Sequence, residues 1–158
     1  MLYSKKLLRL FGEEKNFGKI KNPDGMGKVG NIRCGDEMWL YLKIEKNKQG
    51  KNFVKDVKIQ TFGCVAAIAT SSVVADLARG KTIDQALKIT ATDVMKTTGQ
   101  LPKVKIHCSL LATDALVEAI YNYLEKNNYK ISNDMEQKHQ QIIKKNKLLK
   151  KKFGIKDN

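Results

Sequence analysis

Several residue types are scarce in this sequence. Its 158 residues include three Cys, two His, two Pro and one Trp. No apolar run approaches the roughly 20 residues that cross a bilayer, and Lys5, Lys6 and Arg9 interrupt the apolar residues of the N-terminal segment, unlike a signal peptide. We therefore expect a cytoplasmic protein with free thiols, because three cysteines cannot all pair within one chain and cytoplasmic thiols stay reduced.

Acidic residues are also scarce, with 16 Asp and Glu against 30 Lys and Arg and a net charge of +14. Half of the excess lies between Lys126 and Asn158. The sequence thus divides into a globular domain over residues 1–127 and a basic, partly helical extension over residues 128–158. We expect the extension to pack against the domain with its lysines in solvent. Binding to an anionic lipid or nucleic-acid surface is the alternative.

The first half of the chain predicts strands. "EMWLYLKIEK" alternates with period two and places Met38, Leu40, Leu42 and Ile44 on one face. "NFVKDVKIQTFG" predicts a second strand, with Phe53, Val57 and Ile59 inward. "KVGNIRC" predicts a third, whereas the Gly-rich "KNPDGMGKVGN" before it predicts mostly loop. A short helix with Ser4 as N-cap precedes them.

The second half predicts helices. One runs from Cys64 or Val65 to Arg79 and stops at Gly80. Thr82 and Gln85 have capping-box spacing, and "CSLLATDALVEAIYNYLEKN" is strongly amphipathic. A small antiparallel sheet covered by helices on one side gives an α+β fold with a three-stranded sheet.

The three cysteines have suggestive neighbours. Cys34 lies in "IRCGDE", two residues before Asp36, and Cys64 and Cys108 fall at predicted helix N-termini. A helix N-terminus favours thiolate over thiol through its unpaired N–H groups and partial positive charge. His107 directly precedes Cys108. These residues indicate a site for a soft metal or a reactive thiol.

Other interpretations of the cysteines stay open. A free Cys is usually a buried small hydrophobic residue, and spacings of 30 and 44 residues match no CxxC-type zinc motif. From the residues alone, the site would offer three sulfur ligands and one nitrogen or oxygen ligand. His139 receives no role.

Four separated blocks carry a family resemblance: "CGDEMWLYLKI", "FGCVAAIATSS", "GKTIDQAL" and "LPKVKIHCS". They resemble the signature blocks of the U-type iron–sulfur cluster scaffolds, the IscU and NifU N-terminal family, in the same order from about Tyr3 to Leu124. The resemblance implies that family's compact α+β fold, with a three-stranded antiparallel sheet packed against several helices.

The resemblance also implies a ligand set. The family's three cluster cysteines correspond to Cys34, Cys64 and Cys108, its aspartate to Asp36 and its histidine to His107. Asp36 and His107 compete for the fourth ligand position. Lys105 corresponds to a family lysine, which we interpret as a charge close to the anionic cluster.

The chain departs from the family pattern at the segment that a dedicated Hsp70-type chaperone recognises. That partner-binding segment corresponds here to Leu101, Pro102, Lys103, Val104 and Lys105. It normally contains two prolines, and Lys103 replaces the second, which argues against that partner. The zinc-dependent sulfur-relay branch carries a long insertion before its last cysteine and lacks the histidine, so His107 favours the cluster-building branch.

The resulting hypothesis is a non-enzymatic scaffold, a monomer or dimer. It would accept sulfur from a cysteine desulfurase, take up iron, build a 2Fe-2S cluster and pass it to apo-proteins. A zinc-containing sulfurtransferase that accepts persulfide sulfur is the first alternative, and zinc could also occupy the scaffold's own site. A basic nucleic-acid-binding module is the second alternative, disfavoured because aromatic residues are not interleaved with the lysines of the extension.

Overall fold

The structure is a computed structural model. It describes residues 3–30 and 35–153, apart from the side chains of residues 149, 150, 152 and 153. Cys34, a predicted ligand, lies outside the described residues. Among those that are described, no helix is long and apolar enough to cross a lipid bilayer.

Three antiparallel strands form one sheet in the order β1-β2-β3. They are β1 (Gly25–Gly30), β2 (Glu37–Lys46) and β3 (Asn52–Phe62). The helices are α1 (Lys5–Phe11), α2 (Val65–Ala78), α3 (Ile83–Leu87), α4 (Ala91–Thr98), α5 (His107–Lys126) and α6 (Asn133–Phe153). Helices α2 and α5 pack on the sheet and on each other. The predicted α+β architecture is confirmed.

The local signals at helix ends are confirmed. Ser4 accepts a hydrogen bond from the Leu7 N–H at the start of α1, and Thr82 and Gln85 form the capping box of α3. Gly80 follows the end of α2 with φ at 86°, a conformation that glycine adopts without steric cost.

Strand β1 begins at Gly25, inside the Gly-rich stretch predicted as loop, and its last three residues, 28–30, begin the predicted third strand "KVGNIRC"; residues 31–34 of that prediction lie outside the described residues. The glycines of β1 allow α5 to approach the strand more closely than any side chain would permit. A Cβ on Gly25 would lie 2.4 Å from the Ala119 carbonyl oxygen, and one on Gly27 would lie 2.4 Å from the Ala115 carbonyl oxygen. Glycine within a strand therefore marks close backbone packing here.

One inward position in β3 was predicted wrongly. Val54, not Phe53, is fully buried, together with Val57 and Ile59. Lys43 pairs with Asp56 but Ile44 pairs with Val54, so one residue of β3 is left over at this point. This β-bulge shifts the alternation by one residue, which period-two counting cannot detect.

Helix α6 lies antiparallel against α5 and also contacts β1. Its docked face carries Met135, His139, Ile142 and Asn146, which recur at helical spacing. The His139 ring stacks on the Tyr121 ring with centroids 3.6 Å apart, and its Nδ1 lies 2.7 Å from Glu118 Oε1. The Asn146 amide donates to the Lys28 carbonyl and accepts from the Gly30 N–H. The extension thus packs on the domain as a helix. The boundary between the two at residue 127 stays a prediction.

Candidate metal centre

Strand pairing brings Asp36 and Cys64 together. Glu37 at the start of β2 pairs with Phe62 at the end of β3, so the residues just outside these strands are neighbours. The Cys64 Sγ donates to Asp36 Oδ2 at 3.9 Å. Asp36 is only 4% exposed, so its carboxylate faces the protein, beside the thiol.

Gly63 leaves the space for this carboxylate. A Cβ at Gly63 would lie 3.0 Å from Asp36 Cγ and 2.9 Å from the Cβ of Ala67. Real Cβ atoms essentially never show the 2.9 Å distance, and 3.0 Å is tighter than most real Cβ contacts. A side chain here would therefore require Ala67, Asp36 or both to shift.

The other two ligand candidates lie at the start of α5. Cys108 is fully buried, and its Sγ lies 3.6 Å from His107 Nε2. The ligand atoms of Asp36, His107 and Cys108 all lie within 4.8 Å of one another. The structure therefore brings Asp36, Cys64, His107 and Cys108 close together from three separate segments; their role as ligands stays a prediction.

A buried hydroxyl fastens α5 to α2 beside the centre. Thr70 in α2 is fully buried, and its Oγ1 contacts the carbonyl oxygen of Cys108 at 3.3 Å as well as two carbonyls of its own helix. Cys64 is the N-cap of the same helix α2, so this contact is one of those that pack the two cysteine-bearing helices together. Neither Thr70 nor Gly63 was predicted as a site residue. The only signal for Thr70 was a run of three small polar residues, Thr70, Ser71 and Ser72, inside a mostly apolar helix.

The sulfur atoms of Cys64 and Cys108 are 3.8 Å apart. A disulfide would place them about 2.05 Å apart. Two thiolates on one tetrahedral metal, each about 2.3 Å from it, would lie ~3.8 Å apart, and a thiolate and an imidazole nitrogen ~3.6 Å apart. The observed Cys64–Cys108 and Cys108–His107 distances match these values, so the geometry is that of a candidate site for a soft metal ion.

Lys105 lies next to this centre. The charge of the Cys64 thiolate, with a hydrogen bond to it, raises the pKa of the Lys105 ammonium above its usual value, and Tyr3 and Cys108 add to the effect. A cation here lowers the free energy of the anionic thiolates. The role of Lys105 toward a bound cluster stays a prediction.

The predicted partner segment precedes α5 directly. Residues Lys103–Lys105 form a 3-10 turn. Leu101 is buried, whereas Val104 is 73% exposed and Lys103 is also exposed. An apolar side chain and a cation are thus presented to solvent beside the centre.

The family model for the NifU-like N-terminal domain matches residues 2–130. The chain belongs to this family. It is 51% identical over 126 residues to the iron–sulfur cluster assembly scaffold protein IscU 1 of Archaeoglobus fulgidus, which covers 80% of this chain and 79% of that relative. The predicted membership of the U-type scaffold family is confirmed.

Other relatives extend the comparison. The iron–sulfur cluster assembly enzyme IscU of Drosophila melanogaster is 40% identical over 135 residues, covering 84% of each chain. A crystal structure from Fervidobacterium islandicum AW-1, described as a candidate assembly scaffold for the SUF system, superposes with a TM-score of 0.61 at 25% identity. It covers 76% of this chain and 97% of that chain. All of α6 lies beyond the residues that the family model matches.

Proposed function

We propose that this protein is an assembly scaffold for iron–sulfur clusters, in which the cluster is the cargo. The observation that carries the proposal is that the ligand atoms of Asp36, His107 and Cys108 gather within 4.8 Å of one another, with the Cys64 sulfur beside Asp36 and Cys108, in a chain of the NifU-like N-terminal family. Relatives at 40–51% identity bear names of iron–sulfur cluster assembly proteins.

The donor set suits a carrier that must release its cargo. Clusters held permanently are normally bound by four cysteines. Here three thiolates, Cys34, Cys64 and Cys108, would share the cluster with one weaker ligand, either Asp36 or His107. Lys105 would balance part of the negative charge. A site of this kind binds strongly enough to assemble a cluster and weakly enough to exchange one ligand.

The partners follow from this chemistry. A cysteine desulfurase would supply sulfur, iron would enter separately, and apo-proteins would receive a 2Fe-2S cluster. The protein itself would act as a scaffold and carrier, not as an enzyme. Reduced thiols are required, which favours the cytoplasm. The exposed Val104 and Lys103 would contact a partner, although Lys103 in place of the second proline argues against an Hsp70-type chaperone in that role.

A zinc-containing sulfurtransferase is the second candidate. A tetrahedral set of two cysteines, one histidine and one carboxylate also suits Zn²⁺, and the buried Cys108 has such neighbours. In that case one cysteine would carry persulfide sulfur and no cluster would form.

Anaerobic reconstitution with iron and sulfide distinguishes the two candidates. Iron, sulfide and zinc contents are measured together with visible absorption. We expect equal iron and sulfide and charge-transfer bands in the visible region, all lost in the Cys108→Ser variant. Protein that retains only zinc and forms no cluster would contradict the scaffold proposal and support the sulfur relay.

A further inference from the structure

A groove runs along the outer surface of α5, between α6 and the connection from α3 to α4. Its volume is about 440 Å³, within the range of about 300–1,000 Å³ typical of binding clefts. Apolar side chains from all three elements line it: Leu87, Ile89, Leu110, Val117 and Ile142. Because α6 forms one wall, the groove depends on the docked extension.

One end of the groove, at Leu110, lies one helical turn from His107 of the metal centre. Leu110, Thr113, Asp114 and Val117 line it from α5, at positions i, i+3, i+4 and i+7, so they form one stripe about 10 Å long. Leu110 is 52% exposed and, three residues after His107, lies on the same face of α5. A segment that extends one turn beyond the groove would therefore approach His107.

The rim of the groove is cationic on both sides. Lys88 lies on the side of α3, and Lys138 and Lys145 lie on α6. Asp114 is the one acidic group among the lining residues, and Lys145 Nζ is 3.8 Å from its carboxylate. Burial raises the pKa of Asp114, and Lys145 and Lys138 oppose that rise. Three lysines against one carboxyl favour an anionic occupant.

We propose that this groove binds an acidic amphipathic helix of a partner protein that exchanges cargo with the metal centre. Apolar residues of that helix would pack on Leu110, Val117 and Ile142, and its carboxylates would pair with Lys88, Lys138 and Lys145. A stripe of two helical turns between parallel walls is the usual receptor for a helix. The exchange of cargo rests on the proposed function; the groove and its ligand chemistry do not.

The test uses the full-length, metal-free protein and a synthetic 14-residue helical peptide. The peptide has Leu at positions i, i+3, i+4 and i+7, Glu at most others, and an uncharged dye for anisotropy. A scrambled peptide of the same composition has equal charge without an apolar face. We expect clear binding of the amphipathic peptide and at least about tenfold weaker binding of the scrambled one, since the latter cannot bury its leucines together.

Matched variants separate the groove from general charge attraction. Lys138→Gln/Lys145→Gln removes two charges from the rim, and Lys144→Gln/Lys147→Gln removes two from exposed positions of the same helix outside the lining. We expect the first pair to weaken binding about fivefold more than the second, the effect of two lost ion pairs. Leu110→Ser, at an exposed position, should weaken it without lowering the melting temperature.

Equal effects of the two lysine pairs, or equal binding of the scrambled peptide, would overturn the proposal. So would self-association of the protein that Leu110→Ser abolishes, since a second copy would then be the occupant. On cluster-loaded protein, the amphipathic peptide should slow transfer to an apo-acceptor; binding without any slowing would overturn the link to cargo exchange. Failure of cluster assembly alone would leave the peptide result intact, so the two proposals fail separately.

Discussion

Asp36 lies beside the Cys64 thiol with its carboxylate almost fully buried. A carboxylate is a hard oxygen ligand, less suited than thiolate to iron already bound by sulfur. Its charge also adds to that of the neighbouring thiolates. Asp36 is therefore the residue at which a bound cluster should open most readily to an acceptor's thiolate.

Replacing Asp36 should slow cluster release. We expect Asp36→Ala to assemble a cluster, to hold it longer in air than the parent does, and to pass it more slowly to an apo-ferredoxin. His107 or an outside thiol would take the vacated position. The measurement is the decay of visible absorbance together with the rate of ferredoxin maturation. Faster loss of the cluster than in the parent would make Asp36 a stabilising ligand instead.

Thr70 should control the affinity of the centre for metal through the position of Cys108. Thr70→Val keeps the side-chain shape but loses the hydroxyl contact with the Cys108 carbonyl, at a cost of about 1 kcal/mol. We expect weaker Co²⁺ binding, followed by its thiolate absorption bands, and recovery in Thr70→Ser.

Thr113→Val is the matched control for Thr70. Its hydroxyl donates only to carbonyls of α5, those of Ser109 and Leu110, in the bonds described. This variant should retain the parent's Co²⁺ affinity. Equal losses in both threonine variants would show a general effect of removing helix hydroxyls and would contradict the positioning role of Thr70.

At the scale of elements, the sequence predicted helix ends correctly where residues close together in the chain determine them. Ser4 and the Thr82–Gln85 box are set by neighbours in the chain, and both are present. The strand at Gly25 and Gly27 was missed because its cause is distant: α5, some 90 residues later, packs onto it. The bulge that turns Val54 inward is likewise a property of the strand pair, not of one strand.

The candidate site was predictable for a similar reason. His107 and Cys108 are adjacent in sequence, and Asp36 and Cys64 flank two paired strands. The resemblance to the U-type scaffold family then predicted that these segments form one site. Thr70 could not be predicted, since its bond to Cys108 depends on how α2 packs against α5.

The contact between α5 and α6 should depend on pH. Burial raises the pKa of Glu118 above its ordinary value of 4.5, His139 opposes the rise, and Asp114 and Glu125 add to it. The folded state then binds the Glu118 proton more tightly than the unfolded chain does. Its contribution to stability should therefore grow as pH falls through the folded pKa and be complete below 4.5.

Urea unfolding of the parent and of Glu118→Gln at pH 8 and pH 5 measures this contribution. We expect the parent to gain stability relative to the variant at the lower pH. The exposed Glu125→Gln on the same helix should show no such pH dependence relative to the parent. A difference between parent and Glu118→Gln that is the same at both pH values would contradict the assignment.

At the scale of the whole molecule, the centre ties the sheet to α2 and α5. A ligand that binds only the folded state stabilises it by mass action, about 2.7 kcal/mol at a hundredfold excess over its dissociation constant. We expect the melting temperature to rise on loading with Zn²⁺ or a cluster, and to rise much less in Cys108→Ser. An unchanged melting temperature of the loaded parent would show that the cysteines do not form a shared site.

The capacity to build and hand over a cluster is tested most directly by transfer in the presence of an iron chelator. Reconstituted protein is mixed anaerobically with apo-ferredoxin and excess chelator, and ferredoxin maturation is followed by circular dichroism. We predict transfer faster than from the same iron and sulfide in buffer, resistant to the chelator and absent with Cys64→Ser or Cys108→Ser. Maturation that the chelator abolishes, or that proceeds equally with the serine variants, would contradict the scaffold function.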